Sequence, residues 1–386
     1  MSVPPLPRGG SGRFFETYTQ GFTKTDIERL FTRDAVDAYK FFSRTIDFEA
    51  LKKLPWHRRT IAHVRYVFLA FTLKLSPARR AIYGLAIVCT IIGLASLFRQ
   101  FHWLLIPHPA FAEGTLWLLT GFLLVNLLVL LEVADRLSLK NDLEIAREIQ
   151  LAMLPRRAFH APCVEAFGMT RPANTVGGDF YDILPLSDGR VLLALGDVAG
   201  KGSPAALLMA LLLAMMRTLV DEGLEGAELA ARLNAQMIKH SPPSRFVTLF
   251  VASHNPMTGD FVYVNAGQNP PLLRRANGSY ERLRSGGMAL GMFEHATYSA
   301  GHIHLAPGDL VVMYSDGITE AETALGQPFD ETGVQRIVDG GRWASAKELA
   351  WALFAAVEEH TEQRRLLDDL TVLVARRLPP LPVLSQ

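Results

Sequence analysis

Two long apolar runs stand out in the first third of the chain, at residues 81–98 and 115–131. Each is close to the ~17–25 residues that a helix needs to cross about 30 Å of hydrocarbon. Neither run shows the polar face that a helix on a soluble core presents to water. The pattern therefore predicts two membrane spans within a membrane domain at 76–135, and a buried helical hairpin is the alternative.

Basic residues flank the two runs and predict their orientation. Arg79 and Arg80 precede the first run, Arg136 and Lys140 follow the second, and the loop between the runs holds one Arg and one Glu. Because cytoplasmic flanks carry the excess of Lys and Arg, both ends are expected in the cytoplasm. The sequence thus predicts a multi-pass protein of the cytoplasmic (inner) membrane whose C-terminal domain is cytoplasmic.

Charge divides the chain in a way that agrees with this layout. Residues 1–140 carry 18 Lys and Arg against 10 Asp and Glu, whereas the rest carries 21 against 28. A basic front suits contact with membrane lipid, and an acidic back argues against nucleic acid as a partner. The Pro- and Gly-rich start predicts a partly disordered cytoplasmic segment over 1–75.

Between the second run and Pro155 the chain reads as one amphipathic helix. Residues 132–154 contain no Gly or Pro, and apolar residues recur at three- and four-residue steps from Leu139 to Met153. Pro155 ends the pattern. We predict a connector helix at 132–155, which either pairs two copies as a parallel coiled coil in a homodimer or packs against its own chain.

From residue 156 the hydrophobic period shortens to that of strands. Runs of five to eight residues are joined by turn dipeptides such as Asp188-Gly189 and Asn277-Gly278, which favour two-residue hairpins. Two helix starts are also visible, at Ser203-Pro204 and at Ser345 with Glu348 three residues later. The pattern predicts an α+β domain at 156–378, with antiparallel sheets inside and helices outside, followed by a tail at 379–386.

Acidic residues recur beside the predicted strand ends and tight turns of this domain. Asp179, Asp197, Asp316 and the adjacent pair Asp368-Asp369 each lie at such a position. Carboxylate and carbonyl oxygens suit hard cations such as Mg²⁺ or Mn²⁺. A single Asp-Gly is more often a structural turn, but four such sites together indicate a metal centre.

Six sequence blocks resemble the metal-dependent (PPM) protein phosphatases, in the bacterial branch related to the stage-II-sporulation-E and sigma-factor-regulating phosphatases. The blocks are RPANTVGGDFYD (171–182), LGDVAGKGSPAALLMA (195–210), NAGQNPPLL (265–273), LGM (290–292), LAPGDLVVMYSDGITEA (305–321) and DDLTVLVAR (368–376). They cover about residues 145–377 in the order of that family. The resemblance implies a PPM-type αββα sandwich of two antiparallel sheets flanked by helices, preceded here by the two spans and the connector helix.

The resemblance also implies a site with two Mn²⁺ or Mg²⁺ ions. Asp179 would bridge both ions, and Asp197 would bind one of them beside the main-chain carbonyl of Val198. Asp316 and Asp368 would complete the shell of the second ion, with Asp369 as the alternative to Asp368. Asp179 and Asp197 are thus the predicted catalytic residues, and a water activated by the two metals would attack the phosphorus. From the residues alone, Arg171 is a candidate ligand of the substrate phosphate.

The function implied is hydrolysis of phosphoserine or phosphothreonine on a phosphorylated regulatory protein, by analogy an anti-sigma-factor antagonist. In this branch an upstream module can reposition the helices after the GD block, here 203–220 and 227–239, and the connector helix is placed to transmit such a change. Two alternatives remain open. One is a non-catalytic membrane signalling scaffold with the same fold, and the other is a metal-dependent hydrolase of a small phosphate ester.

Overall fold

The computed structural model describes residues 75–101, 110–242, 244–362, 364 and 366–379, together with the isolated positions 55, 65, 68, 69 and 72. The chain forms two compact units, Met1–Arg136 and Leu137–Gln386. Most of the predicted N-terminal segment 1–75 and of the tail 379–386 lies outside the described residues.

The first unit is built on two long helices. Helix α1 runs over Pro77–Phe101, and α2 begins at Ala110 and ends at Met153, beyond the unit's boundary. A Cβ added at Gly121 would lie 2.7 Å from the Thr90 hydroxyl, so a small residue is what permits this close helix approach. Arg79 pairs with Asp135 at 2.7 Å and with Glu132 at 3.4 Å.

Three described helices are long and apolar enough to cross a membrane: Pro77–Ser96, Gly114–Met153 and Ser203–Asp221. The first two expose most of their apolar side chains, whereas Ser203–Asp221 buries seven residues in the core of the second unit. The third is therefore a core helix. The described helices include the two predicted spans, and their crossing of a bilayer stays a prediction.

The second unit contains two six-stranded sheets. In sheet A the strand order is β1-β2-β12-β11-β7-β8, and in sheet B it is β10-β6-β5-β4-β3, with β9 pairing parallel to β6. The strands are β1 Phe159–Ala161, β2 Val164–Arg171, β3 Phe180–Pro185, β4 Val191–Val198, β5 Val247–His254, β6 Asp260–Ala266, β7 Leu272–Arg274, β8 Tyr280–Arg282, β9 Gly286–Gly287, β10 Gly301–His304, β11 Leu310–Tyr314 and β12 Leu370–Arg377. The remaining strand pairs are antiparallel, as the hairpin dipeptides predicted.

Alternating side chains of sheet A show how the layers stack. On β11, Val311 and Met313 join the core shared with sheet B, whereas Val312 and Tyr314 join the core under the helices on the other face. The helices are α3 Ser203–Asp221, α4 Gly226–His240, α5 Asp316–Thr319, α6 Asp330–Asp339 and α7 Ala346–His360. Helices α3 and α4 cover sheet B and α7 covers sheet A, so the predicted α+β sandwich is confirmed.

The sequence signals for helix starts predicted one cap correctly and one incorrectly. Glu348 N–H donates to the Ser345 hydroxyl at 3.1 Å, so the predicted start of α7 is correct. The Ser203-Pro204 start of α3 predicts Ser203 as the cap and Pro204 as the first helical residue; this is wrong by one residue, because the cap is Gly202, with φ 75°, and Ser203 is already helical. The connector prediction is confirmed as a helix, since α2 continues without a break to Met153.

Candidate active site

Strand pairing brings the predicted acidic residues to the ends of two antiparallel strand pairs, one in each sheet. In sheet B, Phe180, the first residue of β3, is paired with Gly196 of β4. Asp179, the residue just before β3, therefore lies opposite Asp197. In sheet A, β11 and β12 pair antiparallel, and Asp316 follows β11 while Asp368 and Asp369 precede β12. The antiparallel pairing therefore gathers acids that lie far apart in sequence.

Asp179 is the most buried of the carboxylates predicted to bind metal. It is 4% exposed, and its Oδ2 has no hydrogen-bond partner among the described residues. Burial, and then the charge of Asp197, raise the pKa of Asp179 well above its usual range. A buried carboxylate oxygen without a donor is costly unless a cation or a proton compensates it.

The negative charges of neighbouring carboxylates also raise the pKa values of Asp197 and Asp316. Burial, followed by the charge of Asp316, raises the pKa of Asp197 to about 6. Burial and then the charge of Asp368 raise the pKa of Asp316. In the described part of the chain, no three of these side chains are already arranged as metal ligands. The fit to a divalent ion therefore rests on the orphaned oxygen of Asp179 and on the shared repulsion, which a cation relieves.

The adjacent acids Asp368 and Asp369 have different surroundings. The Asp369 carboxylate accepts hydrogen bonds from the backbone N–H of Ala173 and of Gly178, both at 2.7 Å. A Cβ added at Gly177 would lie 2.2 Å from Asp369 Oδ2, so the turn and the carboxylate fit closely. The Asp368 carboxylate instead pairs with Lys201 Nζ at 2.8 Å. Asp369 thus holds the Gly177-Gly178 turn, whereas Asp368 accepts from the Asp369 N–H at 2.9 Å and pairs with the more exposed Lys201.

Gly178 packs closely against the main-chain carbonyl of Val198, which is a buried residue. A Cβ added at Gly178 would lie 2.8 Å from the Val198 oxygen and 3.1 Å from Asp197 Oδ1. Because Gly178 has no side chain, its turn can lie beside both of these oxygens. They are the two oxygens that the resemblance assigns to one ion.

The loop after Asp197 is fastened from the neighbouring strand. Ala199 N–H donates to the Phe246 carbonyl at 2.9 Å, and its own carbonyl accepts from the Arg245 guanidinium at 2.6 Å. Thr248 lies opposite Asp197 in the sheet, and its hydroxyl bonds to Gln268 at 2.6 Å. These contacts fix the backbone that carries Asp197 and Val198.

A residue of the connector helix reaches the turn before Asp179. The Gln150 amide donates to the Gly177 carbonyl at 2.7 Å and accepts from the Gly177 N–H at 3.2 Å. Gln150 is 6% exposed. A single glutamine in a helix gives no sequence signal of such a role, and only its polarity among apolar neighbours could have marked it.

The end of the connector is also tied to α3. Arg217 of α3 donates to the Met153 carbonyl at 2.7 Å and to the Asp182 carboxylate at 2.7 Å. The Tyr181 hydroxyl donates to the Pro155 carbonyl at 2.6 Å. Asp182 is 1% exposed, so this ion pair is largely buried. The connector, α3 and β3 therefore meet in one polar network beside the site.

Arg171, the predicted phosphate ligand, makes other contacts. Its guanidinium forms an ion pair with Glu358 of α7 and lies 5.7 Å from the centre of the Phe354 ring. Its place on β2 is opposite Leu370, close to the acidic pair in sequence. Binding phosphate would require Arg171 to leave Glu358, and its predicted role stays a prediction.

The chain is similar in sequence to known phosphatases of one family. Residues 187–378 match the family described as Stage II sporulation protein E (SpoIIE). Phosphoserine phosphatase RsbU of Bacillus subtilis (strain 168) is 28% identical over 240 residues, which is 62% of this chain and 71% of RsbU.

Solved structures share the fold. The SiaA-PP2C domain of Pseudomonas aeruginosa matches with a TM-score of 0.56 and 21% identity, over 64% of this chain and 99% of that domain. The phosphatase domain and regulatory fragment of SpoIIE from Bacillus subtilis match with a TM-score of 0.50 and 18% identity, over 57% and 64% of the two chains. The family match over residues 187–378 and the similarity to RsbU, together with the shared fold, support a PPM phosphatase of the SpoIIE/RsbU type.

Proposed function

We propose that the chain is a metal-dependent protein serine/threonine phosphatase. The observation that carries the proposal is the set of mutually repelling carboxylates around the orphaned oxygen of Asp179. Asp179, Asp197, Asp316, Asp368 and the Val198 carbonyl are the oxygens that would hold two Mn²⁺ or Mg²⁺ ions. When bound, such ions act as Lewis acids toward a phosphoryl oxygen and lower the pKa of water.

The chain's own residues divide the remaining work. Asp369 and Gln150 fix the turn that presents Asp179, through the backbone of Gly178 and of Gly177. Arg245 fixes the loop that presents Asp197 and Val198. Positioned ligands of this kind reduce the reorganisation needed when substrate binds.

The substrate we propose is a phosphoserine or phosphothreonine of a regulatory protein, of the anti-sigma-factor-antagonist kind. The similarity to a relative named phosphoserine phosphatase RsbU supports this choice over a small phosphate ester. The unbroken set of four acids supports an enzyme over a scaffold, because a binding module has no need of all of them.

We further propose that the enzyme is anchored in the cytoplasmic membrane by α1 and α2. Support comes from the outward-facing apolar side chains of both helices and from the basic flanks on one side. Leu139 and Ile149, which are 62% and 60% exposed, leave an apolar face on the connector that a second copy would cover. A homodimer through this face would act on the site through Gln150.

The test uses the full-length protein in lipid nanodiscs with Mn²⁺. Wild type should release phosphate from a phosphoserine protein and much more slowly from nucleotides, and Asp197→Asn should abolish the release. Asp221→Asn is the matched control, since Asp221 is an exposed aspartate at the C-terminal end of α3. Faster release from nucleotides would favour the small-ester hydrolase. No release by a folded, Mn²⁺-binding protein would favour the scaffold.

A further inference from the structure

We infer that Lys201 binds the phosphoryl group of the substrate, exchanging its partner Asp368 for the phosphate. The inference rests on the proposed phosphatase function and names a recognition residue for that reaction. Its starting point is the position of Lys201 Nζ, 2.8 Å from Asp368 Oδ2 and 2.5 Å from the Leu367 carbonyl.

Among the residues that the structure describes, Lys201 is the basic side chain in an ion pair with one of the four carboxylates predicted to bind metal. Arg171 is paired with Glu358, and Arg245 donates to a backbone carbonyl. A phosphate monoester carries about −1.5 to −2 charges, so a site lined by carboxylates needs a cation on the approach side.

Lys201 and Asp368 are both accessible to a substrate that approaches from solvent. The side chains of Lys201 and Asp368 are 52% and 40% exposed, whereas Asp179 is 4% exposed. The Lys201–Asp368 pair therefore stands at the mouth of the site, where a phosphorylated side chain of a protein arrives first. A buried cation could not meet such a substrate without a rearrangement of the core.

The loop that carries Lys201 is fixed, while the Lys201 ammonium group is free to change partner. Gly200 and Gly202, on either side of Lys201, have φ of 108° and 75°, a conformation that favours glycine. The preceding carbonyl of Ala199 is held by Arg245. A half-exposed ion pair contributes little net stability, and an ammonium group forms charge-assisted hydrogen bonds with phosphate as it does with carboxylate. Exchange of Asp368 for phosphate is therefore inexpensive.

Metal binding would favour the same exchange. If Asp368 binds an ion, Lys201 loses its carboxylate partner, and its ammonium group becomes free to bind the phosphoryl group. The opposing possibility is that Lys201 only neutralises Asp368. In that case the loss of Lys201 changes the affinity for Mn²⁺ alone, whereas a phosphate-binding Lys201 makes its loss weaken the affinity for phosphate.

The experiment compares full-length wild type, Lys201→Met and Lys201→Arg in nanodiscs, with Lys347→Met, an exposed lysine on α7, as the control. Three quantities are measured: KM and kcat on a phosphoserine protein, the inhibition constant of inorganic phosphate, and the Mn²⁺ dissociation constant by calorimetry. Circular dichroism melting confirms that each variant is folded.

We expect Lys201→Met to raise KM and the phosphate inhibition constant roughly 10- to 100-fold, the value of a hydrogen bond between charged groups. The Mn²⁺ dissociation constant should not weaken, and Lys201→Arg should restore most of the phosphate affinity. An unchanged KM and inhibition constant, or an effect confined to Mn²⁺ binding, would overturn the inference. If wild type itself releases no phosphate, the proposed function has failed, and calorimetric binding of inorganic phosphate to the Mn²⁺-loaded proteins still decides the role of Lys201.

Discussion

The two halves of the carboxylate site differ in how the protein encloses them. On sheet B, Asp179 is buried, and the turn before it is held by Asp369 and Gln150. On sheet A, Asp368 is 40% exposed and is held through Lys201. Under the proposed function both halves hold ions, but only the exposed half also meets substrate. Changes in the buried half should therefore affect metal binding and folding, and changes in the exposed half should affect metal binding and recognition with little effect on folding.

The largest expected effect is that of Asp179→Asn. Removing a central ligand should lower phosphate release more than 100-fold, beyond the 10–100-fold typical of residues behind the ligands. The same change should raise the melting temperature of the metal-free protein, because it replaces a buried carboxylate whose Oδ2 has no hydrogen-bond partner. Phosphate release and thermal melting in the presence of a chelator measure the two effects. Asp221→Asn should change neither, and wild-type activity in Asp179→Asn would contradict the assignment.

The next effect separates the two adjacent acids. Asp369→Ala leaves the partly buried N–H of Ala173 and the buried N–H of Gly178 without their acceptor. We expect a loss of about 3 kcal/mol in the free energy of unfolding, from ~1–3 kcal/mol for each unsatisfied group. Asp368→Ala should cost far less stability, since its ion pair is half-exposed, yet it should weaken Mn²⁺ binding. Urea unfolding without metal measures the first quantity, and equal losses for the two variants would contradict the division of roles.

The far end of sheet B provides a test of burial away from the site. His254 is 1% exposed, and burial lowers its pKa to about 4. The unfolded state therefore binds its proton below about pH 6.5 while the folded state does not, so stability falls as the pH decreases from 6.5 toward 4. Between pH 7 and 5, wild type should lose about 2 kcal/mol more than His254→Asn, which keeps a donor toward the Asp260 carbonyl. Urea unfolding at the two pH values measures this difference. An equal loss of stability in wild type and in His254→Asn would refute this account of His254.

The smallest effect concerns the connector. Gln150→Ala removes both contacts with Gly177. We expect phosphate release to fall roughly tenfold, as for other residues that orient metal ligands, with a smaller change in KM. Glu148→Ala is the control, because Glu148 is exposed on the same helix. If both variants have equal activity, the connector does not act on the site through Gln150.

The sequence predicted the parts of this site that follow from local patterns. Hairpin dipeptides, strand runs and the acids at strand ends identified the sandwich and four of its carboxylates. Helix α6 was not predicted, because it is short and mostly polar and begins after Phe329 without a side-chain cap. The separate roles of Asp368 and Asp369 could not be predicted either, because they depend on backbone N–H groups about 190 residues away in the chain.

The roles of Gln150 and Lys201 were missed for a related reason. Each residue type is ordinary at its position, a glutamine in a helix and a lysine between glycines. Their importance arises from the partners that folding brings to them, Gly177 for Gln150 and Asp368 for Lys201. A sequence pattern carries no record of such partners.

The central claim is that the carboxylates around Asp179 form a divalent-metal site. The most direct measurement is calorimetric titration of Mn²⁺ into the folded full-length protein and into Asp179→Asn. The account predicts two bound ions for wild type and loss of at least one in the variant. A folded wild type that binds no Mn²⁺, or a variant that binds as wild type does, would contradict it.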